Sequence, residues 1–375
     1  MMNKARDTKV NVQPERLKAL CRELLDIYSP SGKEEEIVEY VEGYLSEHGL
    51  TVIHQEVDDG RCNLLVMPRG VDEVDLCFMG HLDTVTAHDL EDYGFHEEND
   101  SIYGLGAADM KAGCAAMIEA FVVLAEMGSL SYPVALALVV GEEEDSDGAK
   151  TLAREYNFQW AVVGEPTNMA PCLGHYGYLE VLLRNRGRRA HSSMPELGQN
   201  AIEPMLRLLL QVTEYTSSLP HGLVYNVREL SGFPGGFVVP DSCEAWLDLH
   251  LPPDSRIDVI KAELEQLMET ASTTIPDLDA SIRFENTYSG YRISQDRALV
   301  KKLKEVFSGM SLSWNPQDFR SHSDGSVLWA AGVDPIILGP GRLEAAHTPE
   351  EHVSFQQVVQ ASQLYLNCAL SLGGK

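Results

Sequence analysis

Three apolar runs in this chain end in a glycine and then at once in a side chain able to bind a metal ion. Cys77-Phe78-Met79-Gly80 leads into His81, Ala137 to Gly141 leads into Glu142 and Glu143, and Ala161 to Gly164 leads into Glu165. A fourth run, Ile336-Ile337-Leu338-Gly339, leads through Pro340 and Gly341 towards His347. Each has an ordinary reading when taken alone: a loop histidine, a solvated acidic turn, a turn residue before Pro166 or, for Asp109, the N-cap of a helix. Their shared position changes that reading. In an open α/β sheet, ligands bind beyond the carboxyl ends of the strands, so four such ends gather these groups around one crevice.

The chemistry these residue types support is metal-assisted hydrolysis. His81 and Asp83 form an H-x-D pair; in extended backbone, residues i and i+2 point the same way. Asp83 is therefore expected to accept the imidazole N–H that faces away from a metal, which fixes the tautomer. Asp109 stands at the start of an expected helix, residues 110–127, where the helix dipole keeps a carboxylate ionised. Its two oxygens suit a bridge between two metals. Asp109, Glu143 and Glu165 bring three negative charges, and His81 and His347 bring none. Two divalent ions are then one negative charge short of balance, and a bridging hydroxide both closes the gap and serves as the nucleophile. Imidazole and carboxylate ligands without thiolate suit zinc foremost, with cobalt or manganese as alternatives. Glu142, beside the ligand Glu143, is left free as a general base that moves a proton from water to a leaving amine. The rival reading of Gly104-Leu-Gly-Ala-Ala-Asp109 as a dinucleotide fingerprint fails at its third glycine, where Asp109 stands.

These groups need a scaffold, and the pattern of the chain describes one. Helical spacing covers 14–27, and Ser31 with Glu34 reads as a capping box for a second helix that runs to about His48, with Gly49 as its stop. Apolar runs at 74–79, 133–140 and 160–163 alternate with helices at 110–127 and 150–156, which means a mostly parallel sheet flanked by helices. From about residue 177 the pattern changes to βαββαβ: strands at 178–186, 223–228, 243–250 and 280–285, and helices at 201–215 and 256–271. The α/β pattern resumes after Tyr291, with helices at 297–307, 324–331 and 355–370 and a strand at 334–338. The expected organisation is an α/β domain in two parts, 1–176 and 288–375, with an α+β ferredoxin-like module inserted at 177–287.

Composition bounds the partners. The chain has 375 residues, a length that suits two domains. Its net charge is −28 and its pI about 4.7, which disfavours nucleic acid and anionic membranes. No stretch is apolar for long enough to span a bilayer. Seven scattered cysteines, none in a C-x-x-C pair, fit a reducing compartment. With no apolar leader visible, a cytoplasmic location is expected.

The motifs resemble those of the metallopeptidase family of carboxypeptidase G, acetylornithine deacetylase, succinyl-diaminopimelate desuccinylase, aminoacylase and the di- and tripeptidases. They are GHLDT at 80–84, GLGAADMK at 104–111, GEEE at 141–144, GEPT at 164–167, AHSSMP at 190–195, GPG at 339–341 and AHTP at 346–349. The resemblance implies a zinc-peptidase-like catalytic domain and a lid that mediates homodimerisation. It implies that Asp109 bridges two metals, that His81 and Glu165 complete one site, and that Glu143 and His347 complete the other. Glu142 becomes the base and Asp83 the partner of His81. His191 becomes a lid histidine that reaches a neighbouring subunit's site and hydrogen-bonds the oxyanion. The acidic run offers two registers for the base–ligand pair; the distance to Gly148 favours Glu142 and Glu143. Two positions depart from the family: Phe237 stands where many members carry asparagine, and His250 where many carry arginine, both linked to substrate contacts. Arg342 is a candidate for binding a substrate carboxylate, with plain surface arginine as the alternative. The implied activity is hydrolysis of a small N-acyl amino acid, nearest the acetylornithine and acetyl-lysine deacetylases. An amino-, di- or carboxypeptidase on the same metals is the alternative, and a non-catalytic binding protein a more distant one. The expected partner is a small molecule or short peptide.

Overall fold

The computed structural model describes residues 11–68, 74–91, 93–128, 133–219 and 222–372. The chain forms two compact units: Met1–Leu173 with Ile293–Phe319 and Ser323–Lys375, and Gly174–Arg292 with Arg320–His322. The second unit thus extends a few residues beyond the expected 177–287 at each end. The extension is one strand pair, Tyr291 and Arg292 against His175 and Gly174.

Four parallel strands form the centre of the first unit's sheet, in the order Val134–Val139, Leu76–His81, Trp160–Val163 and Asp334–Ile337. Antiparallel strands extend it: Arg61–Val66 and Val52–Asp58 on one side, Cys172–His175 on the other. Every residue of Leu76–His81, Val134–Val139 and Trp160–Val163 is buried. That is why these strands read as unbroken apolar runs rather than alternating ones. Helix Lys111–Glu126 packs on the Leu76–His81 strand and between helices Pro14–Asp26 and Phe355–Leu372. All its residues from Lys111 to Leu124 are buried, so it has no polar face. Its approach to the sheet depends on Gly113, where a Cβ would lie 2.4 Å from the Gly164 carbonyl oxygen.

Two local expectations fail. The Ser31–Glu34 capping box does not form: helix Glu35–Glu47 starts with no side-chain cap. Ser31 Oγ instead donates to Asp83 Oδ2 at 2.7 Å, and Glu34 accepts from Arg61 at 3.3 Å. The helix begins four residues after Ser31, so Glu34 occupies the cap position and the Ser31 hydroxyl is not placed to accept from the first helical N–H groups. Asp109 also does not open its helix. The cap residue is Met110, and Asp109 ends the loop before it.

The second unit has the expected βαββαβ order. Its sheet runs Val224–Phe233, Ser242–Leu251, Gly177–Arg186 and Ala280–Tyr288, every neighbour antiparallel. One face, with Leu179, Val181, Leu183, Ala245, Leu247 and Leu249, is buried against helices Ile202–Ser218 and Ile257–Thr274. The other face is polar: Arg228 bonds Glu180 at 2.5 Å, and Tyr178 donates to Asp248 at 2.9 Å.

Candidate metal centre

The register of the parallel strands decides which side chains meet. Met79 lies opposite Val163, so the in-phase continuation brings His81 level with Glu165. His81 itself lies opposite Val139, and the chain then turns at Gly141, φ +75°, to present Glu142 and Glu143. Left-handed backbone there suits glycine. Ile337 is also opposite Val163. Beyond it, Gly339 approaches so closely that a Cβ would lie 2.1 Å from the Gly164 carbonyl oxygen. Alternation and length show that these runs are strands; only the register shows that their ends converge.

Asp109 is the centre of the arrangement. Its Oδ1 lies 3.3 Å from His81 Nε2 and its Oδ2 lies 3.5 Å from His347 Nε2, so the two oxygens face different imidazoles. Glu165 Oε1 lies 3.7 Å from His81 Nε2, and Glu143 Oε1 lies 3.1 Å from His347 Nε2. Two groupings follow, His81–Asp109–Glu165 and Asp109–Glu143–His347, each with ligand atoms within 4.8 Å of one another. Both share Asp109. A third grouping, His81–Glu142–Glu143, meets the same limit. Glu142 Oε2 is 3.9 Å from His81 Nε2. Glu144 is exposed and belongs to none of them. Cys114 lies close by, but its thiol donates to the His81 carbonyl at 3.1 Å.

Asp83 does more than pair with the ring. The His81 Nδ1 contact is to the backbone carbonyl of Asp83 at 3.0 Å, while the carboxylate Oδ1 is 3.6 Å away. That carbonyl holds Nδ1 as the protonated nitrogen and leaves Nε2 facing Asp109. The carboxylate is turned to the acidic loop. Oδ1 accepts the Glu142 N–H at 3.1 Å, and Oδ2 accepts the Glu143 N–H at 3.0 Å and the Ser31 hydroxyl at 2.7 Å. The strand ends at His81, so the i, i+2 rule for extended backbone does not carry through Asp83.

The electrostatics show a site short of positive charge. Burial pushes Glu142 and Glu165 well above the usual carboxylate range, and raises Glu143 as well. Burial also opposes ionisation of Asp109, but His347 and His81 outweigh it and hold that carboxyl well below its usual range. The imidazoles answer in kind. Burial would lower His81, yet Asp109, Asp83, Glu165 and Glu142 together raise it well above the ordinary value. Hydrogen bonds to Asp109 and Glu143 push His347 up to about 11. Glu165 Oε1 is buried without a hydrogen-bond partner. A split aspartate, an orphaned carboxylate oxygen and two Nε2 atoms pointing inward fit a pair of divalent cations, which would take the place of the imidazole protons.

The remaining expected residues lie elsewhere. His191 belongs to the second unit, exposed, in a bridge opposite Val238, with Nδ1 2.8 Å from Ser193 Oγ. Phe237, 85% exposed, accepts at its carbonyl from the Ser192 N–H. His250 is on the polar face of the second unit's sheet beside Tyr178, ring centres 5.2 Å apart. Arg342 is exposed and forms a backbone bridge with Thr167 in the first unit. Sequence reasoning missed Ser31, Asp324 and Glu351. Asp324 is fully buried, and burial pushes its carboxyl up to about 7, with His81 and Asp83 among the charges that act on it. Glu351 was visible as the second acid of His347-Thr-Pro-Glu-Glu351, but its partners are some 240 residues away.

The family model described as Peptidase family M20/M25/M40 matches residues 77–371. The N-formyl-4-amino-5-aminomethyl-2-methylpyrimidine deformylase of Bacillus subtilis (strain 168) is 26% identical, over 97% of this chain and 96% of that protein. The acetylornithine deacetylase of Aliivibrio fischeri (strain MJ11) is also 26% identical, over 89% of this chain and 92% of that protein. Among solved structures, a tripeptidase from Staphylococcus aureus subsp. aureus Mu50 superposes with a TM-score of 0.79 at 23% identity, over 96% of this chain and 99% of that one. At that identity the likeness shows the fold.

Proposed function

The chain belongs to peptidase family M20/M25/M40, metal-dependent hydrolases of amide and peptide bonds, and within that family we propose that it hydrolyses a small N-acyl amino acid. The observation that carries this reading is the division of Asp109 between two imidazoles, with Glu165 beside one and Glu143 beside the other. The choice of substrate rests on two full-length relatives whose names, a deacetylase and a deformylase, describe removal of a small acyl group.

In this reading, one ion is held by His81, Asp109 and Glu165 and the other by Asp109, Glu143 and His347. Zinc is foremost, with cobalt or manganese as alternatives. Two such ions lower the pKa of a water and polarise the amide carbonyl. Glu142 takes the proton from the attacking water and delivers it to the leaving nitrogen. Its position beside His81, close to both groupings but outside those that share Asp109, suits it to that role. Asp83 acts through the loop: its carboxylate fixes the backbone of Glu142 and Glu143, and its carbonyl fixes the His81 ring. Arg342 takes the substrate carboxylate. His191, supplied by a second copy of the chain in a homodimer formed through the second unit, stabilises the oxyanion.

The test is a hydrolysis screen of N-acetyl, N-formyl and N-succinyl amino acids beside di- and tripeptides, on protein of known metal content. Turnover of acyl amino acids that is lost on chelation and restored by zinc or cobalt is expected. Turnover of peptides alone would overturn the substrate class and leave the metal reading intact. For His191, chains carrying His191→Ala mixed with chains carrying Glu142→Ala should recover part of the activity; no recovery overturns action in trans.

A further inference from the structure

One buried carboxylate joins the two loops that carry Asp109 and His347. Glu351, 3% exposed, follows His347 by four residues. Its Oε1 accepts the Ala108 N–H at 2.8 Å and the Asp109 N–H at 2.9 Å, and its Oε2 accepts the Gly106 N–H at 3.1 Å. Its own carbonyl accepts the Gly104 N–H at 3.2 Å, and its N–H donates to the Thr348 carbonyl at 3.2 Å. Four hydrogen bonds thus fasten the 104–109 loop to the 347–351 loop through a single residue, and the fifth holds that residue within its own loop. The concave run of N–H groups that receives the carboxylate depends on left-handed backbone at Gly106, φ +81°.

The two groupings around Asp109 depend on this link unequally. His81 ends a central strand, and Glu165 stands two residues beyond another. Their positions follow from the sheet. His347 is on a loop, half-exposed, with φ +58°, a left-handed conformation that a side chain rarely adopts. The register of the central sheet does not set its distance from Asp109; a short strand pair, His352–Ser354 against Ser101–Tyr103, brings the two loops alongside, and Glu351 joins them beyond it.

We propose that Glu351 is a positioning residue that holds the bridging Asp109 and His347 at the spacing the second metal position requires. It touches neither the reacting atoms nor the metal-facing oxygens. The inference rests on the two-ion reading above and deepens it: Glu351 governs the Asp109–Glu143–His347 position and leaves the His81–Asp109–Glu165 position to the sheet.

The experiment is a titration of the metal-free protein with cobalt, followed by visible absorption and by calorimetry, on wild type, Glu351→Ala and Glu351→Gln. His347→Ala identifies which binding step belongs to the second position. Glu351→Ala is expected to weaken that step by roughly 10–100-fold, the usual effect of losing an outer hydrogen-bond partner, and to weaken the other step, which shares Asp109 but has its other ligands on the sheet, by less. Glu351→Gln should fall between, because its amide keeps one carbonyl acceptor but turns an NH2 group towards N–H donors. Should Glu351→Ala fail to fold, Glu351→Gln decides alone. Wild-type binding in both steps overturns the proposal, and so does an equal loss in both steps, which would mean that Glu351 serves the fold at large. A wild-type chain that binds fewer than two ions overturns the two-ion reading and this inference together. A two-ion wild type with unaltered variants overturns only the role of Glu351.

Discussion

The two halves of the candidate centre are built differently. The inner half, His81 and Glu165, stands on or just past the ends of adjacent parallel strands, and both side chains are buried. The outer half, Glu143 and His347, stands on a turn and a loop, and the His347 side chain is 49% exposed. Asp109 is common to both. The inner half inherits its geometry from a register that the whole sheet maintains. The outer half needs local fastenings, and among those the structure supplies are Asp83 on the backbone of Glu143 and Glu351 on the loop of Asp109. A rigid platform carries one position and tethered loops carry the other, which is how a site can keep one ion firmly and remain adjustable at the second.

Substitutions can break that comparison in graded ways. Asp109→Ala removes the shared ligand and should abolish binding of both ions and all hydrolysis, as measured by metal analysis and turnover. Retention of one tightly held ion would mean that the halves are independent. Glu142→Ala should lower kcat by roughly 10²–10⁴-fold with metal content unchanged. Loss of an ion instead would make Glu142 a ligand, in line with the His81–Glu142–Glu143 grouping. His347→Ala should release only the outer ion. If His81→Ala also releases only that ion, the assignment of halves is wrong.

A pH series sharpens the same contrast. In the metal-free protein His347 is raised from 6.5 to about 11, and His81 is raised too. A raised folded-state pKa gives stability that is complete below 6.5 and lost as pH climbs towards about 11. The unfolding midpoint of the metal-free protein should therefore fall between about pH 7 and about pH 10, and metal loading, which displaces these protons, should flatten the trend. Solvent screening reduces the share of the half-exposed His347. A midpoint that rises over this range would contradict the charge assignments. The smallest effect belongs to Ser31→Ala. It removes one hydrogen bond to the Asp83 carboxylate and should cost about 1–2 kcal/mol of stability while leaving both ions bound.

What the sequence revealed and what it hid divide along the same line. The parallel strands were legible because burial on both faces leaves unbroken apolar runs, and the five metal-competent residues were legible because they follow such runs or, for Asp109, stand just before a helical pattern. Their pairing came only through the family resemblance, since register is a property of two strands and is written in neither. The roles of Ser31, Asp83 and Glu351 were hidden for a related reason. Ser31 looked like a cap, yet its hydroxyl serves a carboxylate 52 residues on. Asp83 looked like the partner of the His81 ring, yet its carboxylate is turned to backbone 59 and 60 residues on. Local spacing can suggest a partner, but a buried carboxylate takes the donors that the fold brings to it. The small sheet of His96–Glu98, Ser101–Tyr103 and His352–Ser354 escaped notice because three-residue strands carry no period.

The central claim is that one aspartate is shared by two ions. Anomalous diffraction at the metal absorption edge, from crystals grown with zinc or cobalt, tests it most directly. Two peaks are expected roughly 3.5–4 Å apart, one against each oxygen of Asp109, with His81 and Glu165 beside the first and Glu143 and His347 beside the second. A single peak, or two peaks of which only one contacts Asp109, would contradict the account.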